Sequence, residues 1–252
     1  MGQHFLADQN IARKICFSLT GHGNYKHVLE VGPGTGVLSA NLVNDKDLDW
    51  YGMDVDREAI SYLKKKFPGQ GERILEGDFL RYDLAALFGD AHFAVIGNFP
   101  YNISSQIIFK VLHHRSQIPE VVGMFQKEVA LRIASPPGSK IYGILSVLTQ
   151  AFYDVKILFS VEPHVFVPPP KVQSAVLRLL RRDNVNLDCN ESLFFKVVKT
   201  AFNQRRKTLR NALKGMQVNW DALPAQMARQ RPERLGVIEF AAITRKVGLD
   251  MS

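Results

Sequence analysis

A glycine-rich run at residues 30–36 has the composition and spacing of a ligand-binding loop. It begins with Glu30, contains Gly32, Gly34 and Gly36, and precedes a stretch whose Leu38 and Leu42 share a helical face. Glycines suit a strand-to-helix turn because a Cβ would block both the sharp turn and the close approach of a ligand. A helix beginning near Gly36 would offer unpaired N–H groups to an anionic group. The run alone leaves S-adenosylmethionine, a dinucleotide and a structural turn open.

Two acidic residues follow the next two predicted strands. Asp54 ends an apolar segment 18 residues after Gly36, close to the distance at which such folds place a carboxylate that binds ribose hydroxyls. Asp78 comes directly after the predicted third strand. Because ligands bind beyond the carboxyl ends of parallel strands, we expect both acids and the glycine run to line one crevice. Asp78 alone would equally suit a helix cap.

The tetrad Asn98, Phe99, Pro100 and Tyr101 ends the fourth predicted strand. An amide oxygen and a backbone carbonyl beside a proline can accept hydrogen bonds from a planar exocyclic amine while an aromatic ring stacks on the base. Such contacts favour a pyramidal nitrogen, whose lone pair can attack an electrophilic methyl group. Phe166, on a proline-bounded loop, offers a second stacking face. A base held in this way must be single-stranded or flipped, with stacking contributing about 1–3 kcal/mol.

Composition excludes several classes of protein. The chain has 252 residues, 46% hydrophobic and 22% charged, and no apolar run approaches the roughly 20 residues of a membrane helix. The N-terminus lacks the apolar core of a signal peptide, so we expect a cytoplasmic protein without a membrane partner. Cys16 and Cys189 have no metal-ligand spacing, and we expect neither a disulfide framework nor a metal site.

The positive charge is concentrated in one stretch. The formal net charge is +8, and residues 178–214 carry ten Lys or Arg against three acids. Clustered cations favour a polyanion as partner because binding releases counterions, although a basic block can also be only a solvated face. Nucleic acid is therefore the leading partner.

The elements predicted to position these residues form two domains. Strands are expected at residues 27–31, 50–55, 72–75, 93–97 and 121–125, with helices such as 57–67 between them. This alternation predicts an α/β fold, a doubly wound parallel sheet, with residues 152–161 and 174–180 as an antiparallel hairpin at its edge. An Asn190-capped helix with Phe194, Val198 and Phe202 at four-residue spacing begins a helical region, and 222–227 and 238–247 look helical too. We place the domains at 1–182 and 183–252.

Taken in order, the motifs resemble those of the ribosomal RNA adenine dimethylases over essentially the whole chain. The small-subunit branch, the bacterial 16S rRNA adenine dimethyltransferases, is the most similar. The segments that carry the resemblance are residues 2–6, 30–36, 78, 98–101, 126–130, 139–143, 166–174 and 201–211. The glycine loop is weakly specific, the tetrad moderately so, and the ordered set strongly so.

The resemblance implies a Rossmann-like methyltransferase domain and a helical RNA-docking domain. The implied reaction transfers methyl groups from S-adenosylmethionine to N6 of two adjacent adenosines in the 3′-terminal hairpin of small-subunit rRNA, within the pre-30S subunit during ribosome biogenesis. Its implied cofactor-binding residues are Gln3, His4, Leu6, Glu30, Gly32, Gly34, Gly36, Asp54, Asp78, Phe79 and Asn98. Asn98, Pro100, Tyr101 and Phe166 would hold the target base. Candidate RNA contacts are Lys199, Arg205, Arg206, Lys207 and Arg210. A monomer suffices.

Three departures and two rivals qualify the resemblance. The family often has Asn where this chain has His4, Leu where it has Phe99, and Glu where it has Asp54. A side-chain role for His4 is therefore in doubt. One rival is the antibiotic-resistance branch, which methylates a large-subunit adenosine with similar motifs. The other is a mainly non-enzymatic ribosome assembly factor with a vestigial site. A third class, NAD-dependent oxidoreductases, fails because nothing resembles a hydride-transfer site.

Overall fold

The computed structural model describes residues 4–183 and 185–248, and the chain divides into two compact units. The first unit comprises residues 1–130 and 154–181, and the second comprises residues 131–153 and 182–252. The chain passes from the first unit to the second for the last time between residues 181 and 182, next to the predicted boundary. Residues 131–153, which the prediction placed in the first domain, belong to the second unit. The assignment of methyltransferase and RNA-docking domains to this division stays a prediction.

The first unit contains a seven-stranded sheet of order β4-β3-β2-β5-β6-β9-β7 and a two-stranded sheet of β1 and β8. The strands are β1 (Phe5–Leu6), β2 (His27–Val31), β3 (Asp49–Asp54), β4 (Ile74–Glu76), β5 (Phe93–Asn98), β6 (Glu120–Gln126), β7 (Tyr153–Val161), β8 (Phe166–Val167) and β9 (Ser174–Arg181). β2 to β6 pair in parallel, and β9 runs antiparallel to β6. This confirms the predicted Rossmann-like fold with its antiparallel edge.

Apolar sequence explains the sheet. Val28 and Leu29 of β2 and Phe93 to Ile96 of β5 are completely buried, as expected for strands covered by helices on both faces. The register pairs Glu30 with Gly52 on one side and with Ile96 on the other. The carboxyl ends of β2, β3 and β5 therefore lie at one edge of the sheet, where the predicted ligand-binding residues follow.

Several of the α-helices begin at a polar residue whose side chain caps them. They are α1 (Gln9–Cys16), α2 (Ser39–Leu42), α3 (Arg57–Lys66), α4 (Leu84–Phe88), α5 (Ser104–His113), α6 (Lys127–Ala134), α7 (Ile144–Phe152), α8 (Glu191–Asn203), α9 (Leu209–Ala212) and α10 (Val237–Thr244). Asp8 caps α1 by accepting from the amides of Asn10 and Ile11, and Asp56 caps α3 by accepting from the Glu58 amide. In the described part of the chain no helix is long and apolar enough to cross a membrane.

The helix expected to begin near Gly36 begins three residues later, at Ser39. Gly36 has a φ of +73°, which a right-handed helix cannot contain, so α2 begins at Ser39 and has four residues. The loop therefore depends on its own turns and partners, because so short a helix contributes little dipole.

The second unit is helical, as predicted. Asn190 caps α8 through its side-chain oxygen, which accepts from the Leu193 amide at 2.8 Å. Phe202 of α8 packs on Phe240 of α10 with ring centroids 5.8 Å apart. A helix over 222–227 is wrong: Pro224 holds the preceding Leu223 in extended backbone, and only single 3-10 turns flank it, at Trp220–Ala222 and Met227–Arg229.

Candidate active site

The glycine loop has the backbone that its composition predicts. Gly32, Gly34 and Gly36 all have positive φ, at +70°, +54° and +73°. A Cβ at Gly36 would lie 2.7 Å from a methyl carbon of Leu63, so that position requires glycine for space as well. At Gly32, by contrast, no atom of the described residues lies within 4 Å of the Cβ position. The loop is therefore closed on the Gly36 side and leaves room for a ligand beside Gly32.

Asp54 orders this loop. The residue is 7% exposed, and its carboxylate oxygens accept hydrogen bonds from the amide of Gly34 at 3.1 Å and from the amide of Asp56 at 3.0 Å. A backbone hydrogen bond also links the loop to β3, because the Gly32 amide donates to the Met53 carbonyl at 2.9 Å. Asp54 thus lies at the predicted place beside the glycines, and its ribose contact stays a prediction.

Glu30 is a completely buried carboxyl group beneath the loop. One oxygen, Oε2, accepts from the Ser39 hydroxyl at 2.7 Å and from the Trp50 indole nitrogen at 2.8 Å. The other, Oε1, is buried without a hydrogen-bond partner in the described part of the chain. Burial raises the pKa of Glu30 to about 7, with the nearby Asp54 adding to the increase and the two donors opposing it. A buried acceptor without a partner is where a ligand's donor would bind.

Asp78 and Phe79 differ in exposure. Asp78 is 40% exposed; its Oδ1 accepts from the Leu80 amide at 2.9 Å, and its Oδ2 lies 3.6 Å from Nε of Arg81. Phe79 is buried, with 3% of its surface exposed. The helix cap considered for Asp78 is wrong, because its contact with the Leu80 amide lies in a turn and the next helix, α4, is capped by Asp83. Binding of a cofactor adenine by Asp78 and Phe79 stays a prediction.

The tetrad lies at the carboxyl end of β5. The Asn98 amide nitrogen donates to the His4 carbonyl at 3.1 Å, whereas its Oδ1 has no partner in the described residues. The Phe99 ring is buried, and the Phe99 amide donates to the Met124 carbonyl. The Pro100 carbonyl accepts from the Ile103 amide at 3.2 Å. Asn98 therefore presents an amide oxygen with unused acceptor capacity.

Tyr101 is held at both ends. Its hydroxyl oxygen lies 2.6 Å from the Ser174 Oγ, and its carbonyl accepts from the Ser104 hydroxyl at 2.8 Å. Burial raises the pKa of Tyr101, and the contact with Ser174 opposes the increase. The ring centroid lies 5.9 Å from that of His4, with planes tilted by 32°.

The N-terminal segment and the proline loop pair with each other. Leu6 lies opposite Phe166 in the β1–β8 ladder, and both side chains are buried, with Phe166 only 2% exposed. His4 Nδ1 lies 2.8 Å from the Pro168 carbonyl. Stacking of a base on Phe166 would require this ladder to move, so the role stays a prediction. Gln3 lies outside the described residues.

Comparison with known proteins decides the family. The family profile described as "Ribosomal RNA adenine dimethylase" matches residues 1–229. The chain belongs to this family. This dimethylase is 55% identical over 244 residues to the "Ribosomal RNA small subunit methyltransferase A" of Cytophaga hutchinsonii, and the alignment covers 97% of this chain and 94% of the relative. The protein of the same name from Flavobacterium johnsoniae is 50% identical over 250 residues, covering 99% and 95%. The predicted family is confirmed.

Solved structures of similar proteins agree in fold. A dimethyladenosine transferase from Plasmodium falciparum matches with a TM-score of 0.77 at 26% identity, covering 95% of this chain and 96% of that one. The 23S rRNA methyltransferase ErmE matches with a TM-score of 0.70 at 23% identity, covering 96% and 99%. At that identity the second match shows the fold alone.

The predicted RNA-binding residues of the dimethylase fall into two groups. Lys199, Arg206, Lys207 and Arg210, on α8, α9 and the turn between them, have exposed side chains. Arg205 is partly buried: its guanidinium donates to the Lys140 carbonyl and lies 3.8 Å from the Glu233 carboxylate. Arg205 therefore joins segments within the second unit, and its direct contact with RNA stays a prediction.

Sequence reasoning missed the residues that support the site from beneath. Ser39 and Trp50 hold Glu30, and Ser174 holds Tyr101. Ser174 lies in a segment that carries the resemblance, but nothing in its residue type indicates a partner 73 positions away. The described residues contain no cluster of three or more metal-ligating side chains.

Proposed function

We propose that this dimethylase transfers methyl groups from S-adenosylmethionine to N6 of two adjacent adenosines in the 3′-terminal hairpin of small-subunit 16S rRNA. One observation carries the proposal. Asn98, whose Oδ1 has no hydrogen-bond partner among the described residues, ends β5 directly beside the glycine loop that follows β2, because the two strands are parallel neighbours. A site for a methyl donor and a site for a base amine would thus share one edge of the sheet.

The residues present fit S-adenosylmethionine. The open space at Gly32 admits a ligand against the backbone, and the unpartnered Oε1 of Glu30 suits the ammonium of an amino acid moiety. Asp54 would take the ribose, Asp78 and Phe79 the adenine, and residues 3–6 would cover the ligand. Bound S-adenosylmethionine supplies an electrophilic methyl group.

The tetrad would act on the target base by positioning. The Asn98 Oδ1 and the Pro100 carbonyl would accept hydrogen bonds from the N6 amine and favour a pyramidal nitrogen. The Tyr101 ring, and Phe166 once exposed, would stack on the flipped base. The mechanism needs no general base, because a neutral amine can lose its proton to water after it has reacted. Positioning of this kind can lower a barrier by up to about 7–11 kcal/mol.

The partner in this proposal is the pre-30S subunit, bound by a monomer in the cytoplasm. The exposed cations at 199, 206, 207 and 210 would contact phosphates. The names of the bacterial relatives, which specify the small subunit, support the choice of rRNA.

Methyl transfer from labelled S-adenosylmethionine tests the proposal. Unmethylated small subunits and large-subunit RNA are offered in parallel, and the products are digested to nucleosides. We expect labelled dimethyladenosine from small subunits alone. Label in the large-subunit RNA would assign the protein to the resistance branch, and tight binding to small subunits without label would favour the assembly-factor alternative.

A further inference from the structure

Ser174 has a buried hydroxyl that the proposed mechanism does not use. It is the first residue of β9 and is completely buried, and its Oγ lies 2.6 Å from the Tyr101 hydroxyl oxygen. In the described part of the chain, Tyr101 is the hydrogen-bond partner of this hydroxyl. Removing the partner of such a buried hydroxyl would leave it without a hydrogen bond, which destabilises the folded protein.

The sheet fixes the place of Ser174. Ser174 lies opposite Gln126 in the antiparallel β6–β9 ladder, and β6 in turn pairs with β5, where Met124 lies opposite Asn98. A strand backbone inside such a ladder has little freedom to shift. The position of the Ser174 hydroxyl is therefore fixed by the sheet, and this hydroxyl can hold the side chain of Tyr101, which follows β5.

The neighbouring Gln173 also ties down the loop before β9. Its side-chain oxygen accepts from the Lys127 ammonium at 2.7 Å, and its amide donates to the Glu162 carboxylate at 2.6 Å. Residues 162 and 173, at the two ends of the proline loop, are thus joined. Movement of the loop around Phe166 need not displace Ser174.

Tyr101 is the residue that benefits. Its backbone is held through the Ser104 hydroxyl and its phenol oxygen through Ser174, so both side-chain torsions are restrained. A tyrosine held only by its backbone would exchange rotamers, and each departure from the stacking orientation would cost turnover.

We propose that Ser174 is a positioning residue for methyl transfer, whose hydroxyl holds the Tyr101 ring in the orientation that stacks on the target adenine. This inference rests on the proposed function. It predicts that Ser174 acts only through the Tyr101 hydroxyl.

A double-mutant cycle tests the inference. Ser174→Ala, Tyr101→Phe and the double variant are compared with the wild type in saturating S-adenosylmethionine and unmethylated small subunits. Each rate is normalised to the protein competent to bind the cofactor, determined by titration. Ser135→Ala is the control, because Ser135 is also a buried serine, lies in the second unit, and has only a 3.5 Å contact from its hydroxyl.

The expected effect follows from the loss of one hydrogen bond. Ser174→Ala should lower kcat about 3- to 10-fold. Its KM for the subunit and its Kd for the cofactor should stay within about twofold of the wild-type values. The kcat of Ser135→Ala should also stay within about twofold of the wild-type value. In the Tyr101→Phe background Ser174→Ala should change kcat by less than about 1.5-fold. Thermal unfolding gives a readout independent of turnover: Ser174→Ala should lower Tm in the wild type but not in Tyr101→Phe, where the serine hydroxyl has already lost its partner.

Three results would overturn the inference. Equal losses of kcat from Ser174→Ala in both backgrounds, or an unchanged kcat in the wild type, would mean that Ser174 does not act through Tyr101. If the wild type itself transfers no methyl group to small subunits, the proposed function fails, and the inference fails with it. Activity of the wild type in the same assay distinguishes the two cases.

Discussion

Replacing Glu30 with Gln should change how the stability of the unliganded protein depends on pH. Both hydrogen-bond donors, Ser39 and Trp50, contact the same oxygen, Oε2. The amide oxygen of a glutamine can take that place, so the variant keeps both bonds and removes only the ionisable group. This makes the substitution nearly isosteric.

The magnitude follows from the pKa of Glu30, which burial raises from 4.5 to about 7. At roughly 1.4 kcal/mol for each pKa unit, ionising this buried carboxyl costs the folded state about 3 kcal/mol. Below pH 4.5 both the folded and the unfolded chain hold the proton. Between pH 4.5 and 7 only the folded chain holds it, so the wild-type free energy of unfolding falls as pH rises, and above pH 7 the full cost remains.

Urea denaturation between pH 4.5 and 8.5 measures the effect. The free energy of unfolding of Glu30→Gln, relative to the wild type, should rise by about 3 kcal/mol across this range. Glu58→Gln, at an exposed position in the first turn of α3, controls for general effects of the substitution. A difference between Glu30→Gln and the wild type that stays flat with pH would refute the account of Glu30 as a buried, proton-binding carboxyl.

Three other predictions concern turnover, RNA binding and stability. Asn98→Ala should retain cofactor affinity in a binding titration but lower kcat about 100-fold, since it removes the acceptor that orients the amine; unchanged turnover would exclude that role. Reversing the charges of Lys199, Arg206 and Arg210 should reduce the slope of log affinity for RNA against log salt by about 2. Reversing the charges of the exposed Lys46, Lys64 and Lys65, as a matched control, should leave that slope nearly unchanged. If both triple variants had the slope of the wild type, the cluster at 199, 206 and 210 would be only a solvated face. Arg205→Met should cost about 1–3 kcal/mol in urea unfolding because it removes the donor to Lys140 and the cation beside Glu233; a loss no larger than that of the exposed Arg206→Met would contradict this.

Sequence reasoning worked best where one local pattern decides the structure. The apolar strand segments lie within two residues of the observed strands, and Asn190 caps its helix as predicted. The glycines of the loop adopt the positive φ that their spacing indicates. These features depend on neighbours in the chain, which the sequence displays directly.

It worked least where distant residues decide. Arg205 reads as one more cation in a basic run, but Lys140 and Glu233 hold its guanidinium. Phe166 reads as an aromatic on an exposed proline loop, but pairing with β1 buries its ring. The partner of Ser174 was equally unpredictable, since its contact with Tyr101 depends on the order of strands in the sheet. Tertiary packing, rather than residue type, determines each of these.

We propose that the protein dimethylates two adjacent adenosines of small-subunit rRNA and that the tetrad positions the target amine. The most direct measurement is mass spectrometry of nucleosides from unmethylated small subunits, incubated with the wild type or with Asn98→Ala for the time that the wild type needs to complete the reaction. The account predicts two N6,N6-dimethyladenosines per subunit for the wild type and almost none for the variant. Absence of dimethyladenosine with the wild type, or an undiminished yield with Asn98→Ala, would contradict it.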